Sequence, residues 1–269
     1  MKNPLILQSK KLYDNSKYTN ILEPILDIYV PFDKSVNSVA ITLSGGADSS
    51  LLTFILCDII EKNKLDITVH VITSIRMWKL RPWQEYISLE VYNYFLKKFP
   101  NIKFIRHTNF VPPEFEWGSV GPTIKDEYGK MNSGDIIELR AFSEYVLFKN
   151  NIKMWYAAVN KNPRDITEGP TERNISEITL EKLIKEKENN LYLCKPFLFL
   201  EKDWIMNAYK KLEIIDLLDI TRSCEGDKNT SLEVFGNLDY TNYIWGMDVP
   251  KCNSCFWCKE RQWGLTYGQ

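Results

Sequence analysis

A doubly wound parallel α/β fold is what the sequence predicts, on three observations. Short β-branched runs alternate with segments of helical spacing along most of the 269 residues. A glycine turn joins the first strong strand to the first strong helix, the place where open α/β sheets take their ligands. With 44% hydrophobic and 26% charged residues, the chain has the composition of a protein that buries a core without disulfide staples.

The elements follow in order. Residues 1–35 carry a weak, mixed pattern and predict a short helix and a lead-in loop. Val36–Leu43 (VNSVAITL) is β-branched and apolar, the signature of a buried strand. Between Ser49 and Lys62, apolar residues at Leu51, Leu52, Phe54, Ile55, Ile59 and Ile60 fall at helical spacing. Asp66–Ser74 predicts a second strand. Trp83–Phe99 predicts a helix, with Pro82 near its first turn and Pro100 just past its end. Ile102–Phe110 reads as a third strand, and Val111–Gly134 as a long irregular stretch suited to a lid or binding loop. Ile136–Asn150 returns to helix and Met154–Asn160 to strand. A charged helix is expected over Ser176–Asn189 and another over Lys202–Leu212, before a cysteine-rich tail.

Charge and composition exclude several function classes. Lys and Arg total 34 against 35 Asp and Glu, a net charge of −1, without the positive excess of a general nucleic-acid or anionic-membrane binder. Only His70 and His107 are available, so chemistry needing several histidines is out of reach. The longest apolar run, Leu51–Ile60, contains Asp58 and is too short to cross a bilayer. No signal-like stretch follows Met1, so the expected location is the cytosol. Small-molecule partners are expected, with no stable nucleic-acid or membrane binding, and a homodimer is compatible with the sequence.

The strongest local feature is Leu43-Ser44-Gly45-Gly46-Ala47-Asp48-Ser49-Ser50 between the first strand and first helix. Adjacent glycines let the backbone turn tightly and approach a ligand. The helix start supplies unpaired N–H groups and a positive dipole end, which together hold an anion. Ser44, Ser49 and Ser50 add hydroxyls. Asp48 would repel a polyphosphate unless Mg²⁺ bridges the two, and oxygen is the ligand that ion prefers. The loop is neither a Walker loop nor a GxGxxG turn.

Four of the six cysteines, Cys224, Cys252, Cys255 and Cys258, lie in the last fifth of the chain. Thiols at three-residue intervals read as a metal site in a reducing compartment. A closed tetrahedral Zn²⁺ site leads, with an iron–sulfur cluster and free reduced thiols as the alternatives. Cys57 and Cys194 lie in apolar runs and are expected in the core.

The SGGADS loop resembles that of the PP-loop ATP pyrophosphatases, which share a Rossmann-like, adenine nucleotide alpha hydrolase-like fold. That resemblance implies cleavage of ATP between its α and β phosphates, with adenylation of a carboxylate or carbonyl oxygen. The tail is similar to that of the 7-cyano-7-deazaguanine synthases: Thr221-Arg222-Ser223-Cys224, then CNSCFWCKERQ with Arg261. Lys195-Pro196 through Lys202 resembles the family's lysine segment. Ala157–Asn160 through Gly169-Pro170-Thr171-Glu172-Arg173 resembles its substrate segment, with Asp165, Glu172 and Arg173 at matching places. The likeness covers residues 38–60 and 136–264. Gly-Pro-Thr-Glu stands where the family has Tyr-Pro-Asp-Cys, and the 27 residues between Cys224 and Cys252 exceed the family's spacing.

The resemblance implies an ATP-dependent C–N ligase that turns 7-carboxy-7-deazaguanine and ammonia into 7-cyano-7-deazaguanine, in the setting of queuosine biosynthesis. ATP with Mg²⁺ and one structural Zn²⁺ are its expected cofactors. Asp48 and Lys202 take the catalytic roles, Leu43–Ser50 bind ATP, and Asn160, Asp165, Glu172 and Arg173 bind the deazapurine. No Gly-x-Cys-x-Gly elbow of a glutaminase occurs, so free ammonium is the expected nitrogen donor. Other PP-loop amidating or thiolating enzymes, including tRNA-modifying ones, and a non-enzymatic zinc module are the competing readings. The expected division is a lead-in at 1–35, a nucleotide-binding domain at 36–200, and a helical four-cysteine segment at 201–269.

Overall fold

The computed structural model describes residues 19–33, 35–76, 81, 83–111, 123–125, 131–166, 173–175, 177, 179–187, 190–224 and 251–268. Strand β3 (Ser38–Thr42) leads into helix α1 (Ala47–Lys62), then β4 (Thr68–Ile75), α2 (Gln84–Lys98) and β5 (Lys103–Phe110). After α3 (Gly134–Lys149) the chain returns as β8 (Met154–Tyr156) on the other side of β3. The central sheet has the order β5-β4-β3-β8-β10-β9, where β9 is Ile184–Lys187 and β10 is Leu191–Cys194. All its pairings are parallel except β9 with β10. The strand order therefore reverses at β3, between β4 and β8, and a crevice opens beyond the carboxyl ends of those strands.

Alternation along β3 separates two cores. Val39 and Ile41 face one side and Ala40 the other, all with no exposed surface. The larger core takes in α1, whose buried residues run almost around its circumference from Ala47 to Ile60. Such a helix is covered on all sides. It packs against β3, α5 (Lys202–Lys211) and α6 (Ile215–Ile220). The smaller core lies under α3, with Ile72, Val146, Leu147, Ile152 and Trp155. Among the described residues no helix is long and apolar enough to cross a membrane.

Several expectations change. Within residues 1–35 the described part is an antiparallel hairpin, β1 (Thr19–Glu23) and β2 (Ile28–Phe32), where a short helix was expected. Ile28, Val30 and Phe32 alternate into the core, and Asp27 makes the turn at φ 55°. The charged helix over Ser176–Asn189 is a single turn, α4 (Leu180–Leu183), followed by β9. Its charges suit an edge strand, which needs one buried face and gains from Lys and Glu that discourage further pairing. The stretch 111–134 contains a small hairpin, β6 (Thr123–Lys125) with β7 (Met131–Ser133), and its other positions, 112–122 and 126–130, lie outside the described residues. The cysteine tail ends in a full helix, α7 (Phe256–Tyr267).

Both histidines lie on the α3 side of the sheet. His70 Nδ1 and His107 Nε2 are 2.9 Å apart, sharing one hydrogen, and their rings stack at 5.1 Å with planes 6° apart. Burial, then His107 and Lys103, push His70 down from 6.5 to about 4. Burial, then Lys149, also lowers His107. The pair is therefore neutral in the fold and charges more readily when unfolded. Its contribution to stability is complete above pH 6.5 and is lost as pH falls toward 4. Denaturant midpoints are expected to drop across that window, with a shallower fall in His70→Asn. An unchanged slope in the variant would remove the pair as the cause.

Candidate functional site

The loop after β3 is shaped by its own hydrogen bonds. Leu43, fully buried, ends the strand with its N–H on Ile72 O at 2.9 Å, and Thr73 Oγ1 donates to Leu43 O at 2.8 Å. Gly45 adopts φ +79°, a left-handed conformation that strains any residue with a Cβ. A Cβ there would also lie 3.0 Å from Ile87 Cγ2 and 3.1 Å from Ser88 N, so α2 closes over the turn. Gly46 caps α1 in extended conformation, and Ser50 N–H to Gly46 O, 3.1 Å, closes the first intrahelical turn. Ser50 Oγ also donates to Gly46 O, which turns that hydroxyl inward. Ser44 and Ser49 hydroxyls sit 3.1 Å apart at the mouth of the turn. Ala47 is buried, with its carbonyl receiving Tyr209 Oη from α5 at 2.6 Å.

Four charged residues from distant parts of the chain meet beside this loop. Lys202, at the first position of α5, has no exposed surface, and its ammonium donates to Asp48 Oδ2. The same nitrogen lies 3.4 Å from Glu260 Oε2 on α7. Glu260 is equally buried, and its Oε1 accepts from Arg173 Nη2 and, at 3.3 Å, from Asn160 Nδ2. Arg173 Nε donates to Asn160 O at 2.6 Å, and its guanidinium lies over the Phe256 and Trp257 rings. Two cations thus balance two carboxylates, which makes burial tolerable; removing one partner of such a pair costs about 3–5 kcal/mol. Three atoms of the group are left over. Asp48 Oδ1, Arg173 Nη1 and Glu260 Oε2, the last held only by its charge contact with Lys202, are buried without a hydrogen-bond partner among the described residues. A lone carboxylate oxygen is what Mg²⁺ takes, and a spare guanidinium donor suits an anion.

The cysteine segment is fastened to the loop. Arg222 N–H donates to Gly45 O at 2.9 Å and Ala47 N–H to Ser223 Oγ at 3.4 Å. Arg261 Nη1 donates to Thr221 Oγ1 at 2.9 Å, and its Nη2 to Leu218 O at 3.0 Å. Sulfurs of Cys224, Cys252, Cys255 and Cys258 all lie within 4.8 Å of one another. The Cys224–Cys252 and Cys252–Cys258 separations are 3.6 and 3.9 Å. A single tetrahedral Zn²⁺ with bonds of about 2.3 Å would put its sulfurs about 3.8 Å apart, so the donor set fits one ion. A multi-iron cluster distributes its thiolates over several irons and holds them farther apart. Burial, then Cys224, pushes the Cys258 thiol up to about 12.

Of the sequence-predicted residues, Asp48, Lys202, Arg173 and Asn160 come together. Asn160 is spent on Glu260 and Arg173, so it supports them. Asp165 does not join: its side chain is 56% exposed and its Oδ2 accepts from Trp263 Nε1 at 3.1 Å. Glu172 lies outside the described residues. Glu260 was missed. Gly264 and Gly268 follow it at spacings of four on a face that meets α5, a pattern that marks a close helix contact but does not by itself mark Glu260 as buried.

No family model and no curated protein matches the chain. Among solved structures it is similar to a U34-tRNA thiolase, NcsA, from Methanococcus maripaludis with its 4Fe–4S cluster: 15% identity, TM-score 0.43, covering 85% of this chain and 72% of that one. It is also similar to a glutamine-dependent NAD⁺ synthetase from Acinetobacter baumannii in complex with ADP, at 14% identity and TM-score 0.41, covering 87% of this chain and 40% of that one. At these scores the likenesses carry no functional argument.

The tight turn makes a direct prediction. Gly45→Ala combines a left-handed φ with a backbone contact and is expected to lower stability by about 1–3 kcal/mol, read by denaturant unfolding. Gly46→Ala, with its nearest contact at 3.3 Å and extended φ, should cost less. Equal losses for the two variants would contradict the geometry.

Proposed function

We propose that the chain is an ATP-dependent acyl-activating enzyme that cleaves ATP between the α and β phosphates. One observation carries this reading: Asp48 stands two residues past Gly46, with one oxygen held by Lys202 and the other buried without a hydrogen-bond partner among the described residues. Loop amides and the Ser44 and Ser49 hydroxyls would hold phosphates at the start of α1. Mg²⁺ held by Asp48 would supply charge neutralisation for the leaving pyrophosphate. Lys202, released from Asp48, and Arg173 through its spare Nη1 offset charge as it develops on the transferring phosphoryl oxygens.

The substrate assignment rests on the tail and on residues 157–173. We infer 7-carboxy-7-deazaguanine as the acceptor. Its carboxylate oxygen attacks the α phosphorus and pyrophosphate leaves; ammonia then displaces AMP to give the amide. A second ATP adenylates the amide oxygen, and loss of AMP and protons leaves the nitrile. An open pocket of about 450 Å³, lined by Lys161, Asn162, Arg164 and Asn174 among others, is the place we propose for the acceptor. The cysteines favour amidation over thiolation. Four converge on one ion site, and Cys57 and Cys194 are buried with thiols pushed up by burial, leaving none poised to carry sulfur.

Incubation with ATP, Mg²⁺, ammonium and the carboxy-deazaguanine, followed by mass detection, should yield AMP, pyrophosphate, amide and nitrile. Asp48→Ala should lower turnover by roughly 10²–10³-fold while the fold persists. Formation of ADP in place of AMP would overturn the reading; amide without nitrile would reassign it to an amide-forming variant. The cysteine site is proposed to hold one structural Zn²⁺. Elemental analysis should find one zinc per chain, and Cys255→Ser should lose most of it and melt at lower temperature.

A further inference from the structure

We propose that Glu260 is a positioning residue that sets Lys202 and Arg173 side by side toward one anionic ligand. The inference rests on the ATP-cleaving reading and deepens it. Glu260 has no exposed surface and divides its two oxygens between the two cations, Oε2 toward Lys202 at 3.4 Å and Oε1 to Arg173 Nη2. Lys202 and Arg173 reach the site from different segments, and the Glu260 carboxylate is what joins them. Asp48 holds Lys202 as well, but that carboxylate is the one a metal–nucleotide complex would claim. Once Asp48 turns to the metal, Glu260 is the carboxylate that still fixes the ammonium in a water-poor site.

The backbone around Glu260 is built to keep it there. One turn on, Gly264 lies so close to the start of α5 that a Cβ would sit 2.7 Å from Lys202 Cγ and 2.8 Å from Lys202 O. Another turn on, Gly268 meets Asp203 O in the same way, and Lys210 Nζ donates to Gly268 O at 2.9 Å. Glu260, Gly264 and Gly268 therefore form one seam by which α7 rests on α5, with the carboxylate at the end nearest the phosphate loop. At its other side, Arg261 anchors the helix to Thr221 and Leu218. The position of the Lys202 ammonium is thus set from α7 as well as from its own helix.

The test compares Glu260→Gln with the parent protein. Glutamine keeps the size and one acceptor for Arg173 but removes the charge that the two cations share. The expected result is a kcat for AMP formation roughly 10- to 100-fold lower, the loss that follows from small misplacement of a reacting group. Calorimetric affinity for Mg–ATP should stay within about threefold, because loop amides carry most of that binding. Zinc content should stay near the parental value, while the melting temperature falls by several degrees because a buried charge partner is lost, the protein remaining folded at the assay temperature. Gly264→Ala, which shifts the seam without touching a charge, should show the same split between kcat and binding. Parental kcat in both folded variants would overturn the inference, as would a kcat loss that only tracks lost zinc or lost folding. A parent protein that binds no Mg–ATP would overturn the ATP reading and this inference with it.

Discussion

An ammonium without any solvent contact governs this structure. Lys202 is buried completely at the start of α5, where no water can satisfy it, so the fold must bring carboxylates to it. Asp48 arrives from the turn after β3 and Glu260 from α7, and Glu260 in turn requires Arg173. Strand order places the first of these, since β3 is central and its loop opens into the crevice between β4 and β8. Close helix packing through Gly264 places the second. The charge balance, the crevice and the helix seam are one solution to one electrostatic problem.

Much of this was legible in the sequence, for identifiable reasons. β3, α1, β4, α2 and β5 follow strong local patterns, and the glycine turn between β3 and α1 announces itself by composition. The cysteine spacing pointed to a cluster that the fold does assemble. Elements whose local pattern was weak or two-sided went astray. The β1–β2 hairpin hides its alternation behind Pro24 and Pro31, and the Lys- and Glu-rich β9 looks helical because edge strands carry the charges that exposed helices also carry. Glu260 could not be singled out from spacing alone. A carboxylate beside Lys259 and Arg261 reads as surface charge, and only tertiary packing turns it inward.

The cysteine cluster and the glycine turn are mechanically continuous. Arg222 and Ser223 hydrogen-bond to the turn, and Cys224 follows immediately. Trp83, just before α2, and Ile87 within it cover the cluster, while Ile87 and Ser88 of that helix close over Gly45. Ordering the cysteines therefore also orders the backbone that contacts Gly45 and Ala47. A metal ion held by these four cysteines would stiffen the glycine turn from behind.

The seam between α5 and α7 has a consequence for the order in which the molecule is made. Asp48 is synthesised early and Lys202 long after it, and Glu260 and Gly264 follow later still. Until they emerge, the nascent sheet and its first helices can assemble while Lys202 and Arg173 lack their common counter-ion. Local elements form ahead of distant contacts. Translation thus delivers a scaffold whose buried charges find their balance only when α7 follows.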